Sequence, residues 1–161
     1  MNAPVILSMH GHQAISDALL SLPGASVGRI SWRQFPDGET YLRLLSPVEG
    51  RDVVILCGLD HPDPRFLPLS FLASTAREMG AKRVGLVAPY LAYMRQDKRF
   101  HEGEGLTSRY FARLISNQFD FIATVDPHLH RYDALSDVYS IPGRVLHAAP
   151  LLAEFVKGQT N

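Results

Sequence analysis

The sequence predicts a doubly wound α/β domain on a mostly parallel sheet, with a short antiparallel ribbon beside it. Three observations carry that expectation. Residues 53–57, 84–88 and 121–125 are short apolar runs of the kind that suits strands buried on both faces. Stretches of helical spacing lie between them, so strand and helix alternate. A chain of 161 residues at 46% hydrophobic composition fills one core, and the usual domain range of roughly 100–200 residues leaves no room for a second. One domain is expected over residues 1–157.

Along the chain, Val5, Ile6 and Leu7 form an apolar run that ends near Gly11. Ile15, Ala18, Leu19 and Leu22 then recur at helical spacing until Pro23-Gly24 stops the pattern. Residues 27–35 and 40–45 read as extended, with Pro36-Asp37-Gly38 as the turn between them. Arg29, Arg33 and Arg43 imply that this ribbon has one solvated face. A helix is expected from about Phe66 to Met79, stopped by Gly80, and another over residues 107–117 with Thr107 as its N-cap. A short helix precedes the final residues Gly158, Gln159, Thr160 and Asn161. Right-handed crossovers in such a fold place ligands at the carboxyl ends of the strands. Pro89-Tyr90 and Asp126-Pro127-His128 fall at two of those ends.

Sixteen basic and sixteen acidic side chains cancel, so no global field holds a nucleic-acid backbone or an anionic membrane. Any anionic ligand must be gripped locally. The single cysteine, Cys57, sits in an apolar run where a buried thiol is expected, and it suits a reducing compartment. Met1-Asn2-Ala3-Pro4 does not open a signal peptide, and no apolar run reaches membrane-spanning length. The expected location is cytoplasmic.

Three constellations carry chemistry. In Phe35-Pro36-Asp37-Gly38-Glu39, an aromatic face and two carboxylates can stack on a purine and accept from its exocyclic amine; the bland alternative is a hairpin turn with solvated acids. Arg95, Gln96, Asp97, Lys98 and Arg99 lead into a glycine-containing loop at residues 100–105, where guanidinium forks can hold a polyphosphate; the alternative is a wet loop with internal ion pairs. Asp126 and His128, directly after an apolar strand, can hold Mg²⁺ through water or touch a phosphoryl group in transit. His130 beside them invites a zinc reading, which the lone cysteine and the missing third ligand oppose. A capped or surface histidine is the bland alternative there.

Taken in order, these segments resemble the ribose-phosphate pyrophosphokinases, the phosphoribosyl pyrophosphate synthetases. The likeness runs from Leu7-Ser8 through 35–39, then Val87-Ala88-Pro89-Tyr90, Tyr93 and Arg95-Gln96-Asp97-Lys98. It continues through Val125-Asp126-Pro127-His128 and Ile141-Pro142 to Ala148-Ala149-Pro150-Leu151. The resemblance implies a phosphoribosyltransferase-like domain that takes Mg²⁺ and ATP and serves the transfer of diphosphate to ribose 5-phosphate. It places Arg95, Gln96 and Asp97 on an ATP-binding loop, and His128 at the catalytic position facing the Mg²⁺–ATP phosphates. It also implies that Phe35, Asp37 and Glu39 reach the adenine in a neighbouring subunit, hence a homo-oligomer. Residues 98–104 resemble the archaeal-type loop. Residues 131–140 depart from the family pattern, so no metal ligand is carried onto Asp133 or Asp137. The family's second domain, with its ribose-phosphate loop and basic catalytic loop, has no counterpart in this sequence, so the chain alone is expected to be catalytically incomplete. A non-catalytic associated subunit is one competing reading; a nucleobase phosphoribosyltransferase relative, whose paired-acid loop is missing here, is another.

Overall fold

The computed structural model describes residues 3–9 and 12–159. Strands β1 (Val5–Met9), β2 (Ser26–Val27), β5 (Asp52–Cys57), β6 (Arg83–Ala88), β7 (Phe121–Val125) and β8 (Gly143–Leu146) form one sheet in the order β2-β1-β5-β6-β7-β8, every pairing parallel. The ribbon is a separate antiparallel pair, β3 (Ile30–Gln34) with β4 (Thr40–Leu44). Helices α1 (Gln13–Leu20), α2 (Pro62–Glu78), α3 (Thr107–Gln118) and α4 (Ala149–Gln159) complete the order, with a 3-10 turn at Leu135–Asp137. The strand order reverses between β1 and β5. Helix α1 packs on β1, while α2 packs on β5 and β6 and against α3; the right-handed crossover rule assigns α1 to the opposite face from α2 and α3.

The three apolar runs became the sheet's centre because their side chains are covered from both faces: Val53, Ile55, Leu56, Val84, Leu86 and Ile122 are all buried. Cys57 is buried among them, and desolvation pushes its thiol up to about 11. Two helix starts differ in detail from the sequence expectation, each for a local reason. Helix α2 begins four residues early, because Pro62 at its first turn has the fixed φ of a helix and lacks only an N–H that would be unpaired there. Thr107, expected as an N-cap, is the first helical residue of α3; its hydroxyl donates to Gln96 Oε1 at 3.0 Å, and Leu106 precedes the helix without a side-chain cap.

The ribbon starts later than its extended pattern suggests. Val27 stays in the sheet beside Ile6, and Gly28 N–H still donates to Ile6 O at 2.8 Å. A Cβ on Gly28 would come within 2.2 Å of Leu7 Cδ2, so only glycine lets the chain pass this close to β1 before it leaves the sheet. Arg29, Arg33 and Arg43 are exposed, as the solvated face required, while Leu44 and Val48 enter the common core. Strand β8 was not foreseen: Gly143-Arg144-Val145-Leu146 is too short and mixed to signal a strand without β7 beside it. Gly11, Thr160 and Asn161 lie outside the described residues. Among the described residues no helix is long and apolar enough to cross a membrane.

Candidate nucleotide site at the carboxyl edge of the sheet

Strands β5, β6 and β7 all deliver their carboxyl ends to one edge, and two adjoining cavities open there. One, of about 110 Å³, is lined by Arg95 and His128 with Tyr90, Met94, Asp126 and Pro127 among its walls. The other, of about 290 Å³, is lined by Arg95, Gln96, Tyr90 and Tyr93 with Asp60 and Asp63. Arg95 and Tyr90 belong to both. The turn after β7 sends the chain across this edge because Asp126 adopts a left-handed φ of 37° and Pro127 cannot extend the ladder. The crevice therefore brings together Arg95, Gln96, Asp126 and His128, which lie more than thirty residues apart at the extremes.

The loop after β6 is held from inside. Met94 is buried and takes the Tyr139 hydroxyl on its sulfur at 3.8 Å. Gln96 accepts from Thr107 through its side chain and from Ser108 N–H through its carbonyl at 3.3 Å. Asp97 is enclosed, its side chain 0% exposed, and Arg131 Nη1 donates to its Oδ1 at 2.7 Å. Arg95 alone of these four points its bulk to solvent. Further out, Arg99 Nε donates to Glu104 O at 2.8 Å, and Phe100 N–H donates to Glu104 Oε2 at 2.7 Å. The loop is thus internally bonded at its tip as well as anchored at its root.

Asp126 is engaged on both oxygens. His147 Nδ1 lies 3.0 Å from Oδ1, and Ala148 N–H donates to Oδ2 at 3.0 Å. The Ala148 N–H, then His147, hold this carboxyl below its ordinary range. Its first task is therefore to fasten the turn between β8 and α4. His128 is exposed, and its ring lies 5.8 Å from that of His130 in a stacked arrangement. Among the described residues no three His, Cys, Asp or Glu side chains are arranged to hold a metal ion. One occupied carboxylate and an imidazole do not make a cage for Mg²⁺, which prefers oxygen ligands in an octahedron. A divalent cation here would need most of its oxygen donors from a bound ligand or water, with Asp126 and His128 as the nearby protein groups.

Phe35, Asp37 and Glu39 sit elsewhere, at the tip of the ribbon, and none lines either cavity. Glu39 N–H donates to Asp37 Oδ1 at 3.1 Å and Phe35 N–H to Glu39 O at 2.7 Å, closing a turn whose Gly38 needs φ 90°. Phe35 is 38% exposed, with the Arg33 guanidinium 4.4 Å from its ring centroid and Tyr41 edge-on at 6.2 Å. The ring expected to be free for a base already carries a cation on one face.

Asp60, Asp63 and Arg131 were not singled out in the sequence. Asp60 and Asp63 follow directly on the carboxyl end of β5, a position that the sheet-edge rule flags. Arg131 gave no local signal. Asp137, left unassigned, accepts from Asp133 N–H at 2.8 Å and Ala134 N–H at 3.1 Å and so caps the 3-10 turn.

A family profile described as the N-terminal domain of ribose phosphate pyrophosphokinase matches residues 4–118. The chain belongs to that family. Ribose-phosphate pyrophosphokinase of Halobacterium salinarum is 33% identical over 149 residues, covering 92% of this chain and 52% of the relative. That of Methanothermobacter thermautotrophicus is 31% identical over 154 residues, covering 94% and 53%. The chain therefore spans about half the length of the curated relatives it matches. Both relatives are archaeal, in keeping with the archaeal-type loop at 98–104. Among solved structures, phosphoribosylpyrophosphate synthetase from Mycobacterium smegmatis superposes with a TM-score of 0.84 over 96% of this chain and 52% of that one, at 24% identity, which supports the same fold. The α/β sheet with its added ribbon is the fold expected of this ribose phosphate pyrophosphokinase domain.

Proposed function

We propose that this chain is the ATP-binding half of a ribose-phosphate diphosphokinase, which moves diphosphate from Mg²⁺–ATP to the anomeric hydroxyl of ribose 5-phosphate and releases AMP. The observation that carries this reading is the convergence of Arg95 and His128 on one crevice at the carboxyl edge of the sheet, in a member of this family. An exposed guanidinium on a firmly rooted loop holds phosphate oxygens in a fork, and an imidazole opposite can donate to a phosphate oxygen. Mg²⁺, bound to the ATP phosphates, supplies charge neutralisation; Arg95, Gln96 and His128 supply alignment, which dominates phosphoryl-type transfer. Exposed Phe35 with Asp37 and Glu39 lies on another limb of the molecule, and that placement favours service to a second copy's nucleotide over its own. A homo-oligomer follows.

Titration calorimetry of the 161-residue chain with Mg²⁺–ATP should give saturable binding that Arg95→Ala weakens at least tenfold. By itself this polypeptide should form no AMP in response to ribose 5-phosphate. Residues 1–157 fused to the C-terminal half of the Methanothermobacter relative should. Absence of ATP binding in a folded chain, or ribose 5-phosphate-dependent turnover by these 161 residues unaided, would overturn the assignment.

A further inference from the structure

The geometry points to Arg131 as a positioning residue: by clamping Asp97 it sets the nucleotide loop against the segment that carries His128. At the root of the loop after β6, Met94 and Asp97 are buried, Gln96 is half-buried and Arg95 is exposed. Where Arg95 points is therefore fixed by what holds its buried neighbours. Asp97 has a single partner among the described residues, Arg131, which lies three residues beyond His128 on the other limb of the crevice. Its Oδ2 is enclosed without a hydrogen-bond partner, so the whole compensation for burying this carboxylate comes through Oδ1. A carboxylate in that condition holds its guanidinium in one geometry, since moving away leaves a buried charge unpaired.

The same guanidinium lies 5.5 Å from the centroid of the Phe100 ring, which Lys98 Nζ approaches at 5.7 Å. Arg131 thus touches the loop at its root and near its tip. A second link runs in parallel, Tyr132 Oη with Ser108 Oγ at 3.0 Å, tying the same limb to the start of α3. Asp97, which the family resemblance places among nucleotide contacts, acts in this reading as the loop's anchor; its enclosed side chain has no face toward a ligand.

The inference rests on the nucleotide reading for its binding measurement, and a second measurement is independent of it. Asp97→Asn, Arg131→Gln, the double variant and Arg131→Lys are compared with the parent by Mg²⁺–ATP calorimetry and by amide hydrogen exchange over residues 95–104. The double variant leaves no unpaired buried charge, so it folds even where a single one does not. Each single change should speed loop exchange and raise the Mg²⁺–ATP dissociation constant about tenfold. The double should be no worse than either single, and Arg131→Lys should recover part of the loss. Parent-like exchange and affinity in Asp97→Asn would overturn the inference and make Arg131 a direct phosphate contact; effects that multiply in the double would overturn it as well. If the parent binds no Mg²⁺–ATP, the functional reading fails, and unchanged exchange in the variants would then overturn the clamp on its own.

Discussion

The crevice at the sheet edge and the tip of the β3–β4 ribbon both carry the residue types a nucleotide needs, yet they are built in opposite ways. At the crevice, Arg95 and His128 ride on segments held by partners far away in sequence: Asp97 by Arg131, Gln96 by Thr107, Asp126 by His147 and Ala148. At the ribbon tip, among the described residues, the turn's hydrogen bonds close within residues 35–39. A distributed anchorage holds two limbs in register and fails when one distant partner is lost. A local turn forms by itself and can be presented to another molecule without disturbing the fold.

The sharpest test of that contrast is loss of function at the crevice without loss of fold. In the chimera with the relative's C-terminal half, His128→Ala should lower turnover by about 10²-fold, the scale of losing one contact made in the transition state, with the thermal midpoint little changed. His130→Ala should cost less, through loss of its stacking on the His128 ring. Equal turnover for the His128 variant and the parent would leave Arg95 as the principal phosphate contact.

Gly85→Ala probes the sheet beneath the crevice. The added Cβ would meet the Phe121 ring at 2.0 Å across the β6–β7 pair, so a denaturant midpoint should report a loss of about 1–3 kcal/mol. Phe121→Leu in the same chain should return part of it. Leu44 of the ribbon shares the core, so ribbon and sheet should unfold in one transition; two separate transitions would break the view of a single cooperative unit.

Asp37→Ala should move stability by no more than about 1 kcal/mol, because it removes one exposed turn bond. Its larger effect should appear between subunits. Mixing Asp37→Ala with Arg95→Ala chains should restore some ATP sites with both limbs intact, whereas each alone is weakened; no recovery on mixing would confine the ribbon to its own subunit.

The smallest effect concerns acid. Asp126 is depressed in the folded state, so its contribution is complete above the unfolded carboxylate value of about 3.9 and is lost as pH falls through the lower folded value. Amide exchange at Ala148 should accelerate over that acidic window and not between pH 5 and 7, and Asp126→Ala should abolish the acid dependence.

Much of this was legible in one sequence because the relevant signals are local. Apolar runs at 53–57, 84–88 and 121–125 can be satisfied only in a two-sided sheet, and Asp37-Gly38 specifies its own turn. Family resemblance drew attention to Arg95 and His128, and their place at strand ends followed from the same pattern. Strand β8, the start of α2 and the role of Thr107 were less visible, since each depends on a neighbour: β7, a proline geometry and Gln96.

By itself, then, the sequence determined the strand and helix rhythm, the ribbon with its solvated arginines and the buried thiol. Tertiary structure alone decided that Asp97 faces inward onto Arg131, that Asp126 fastens the β8–α4 turn, and that the ribbon tip stands apart from the crevice. The reason is range. Periodicity and turn chemistry act over a few residues and leave a mark in the order of amino acids. The pairing of Asp97 with Arg131, thirty-four positions away, exists only once the sheet has brought two strand ends side by side.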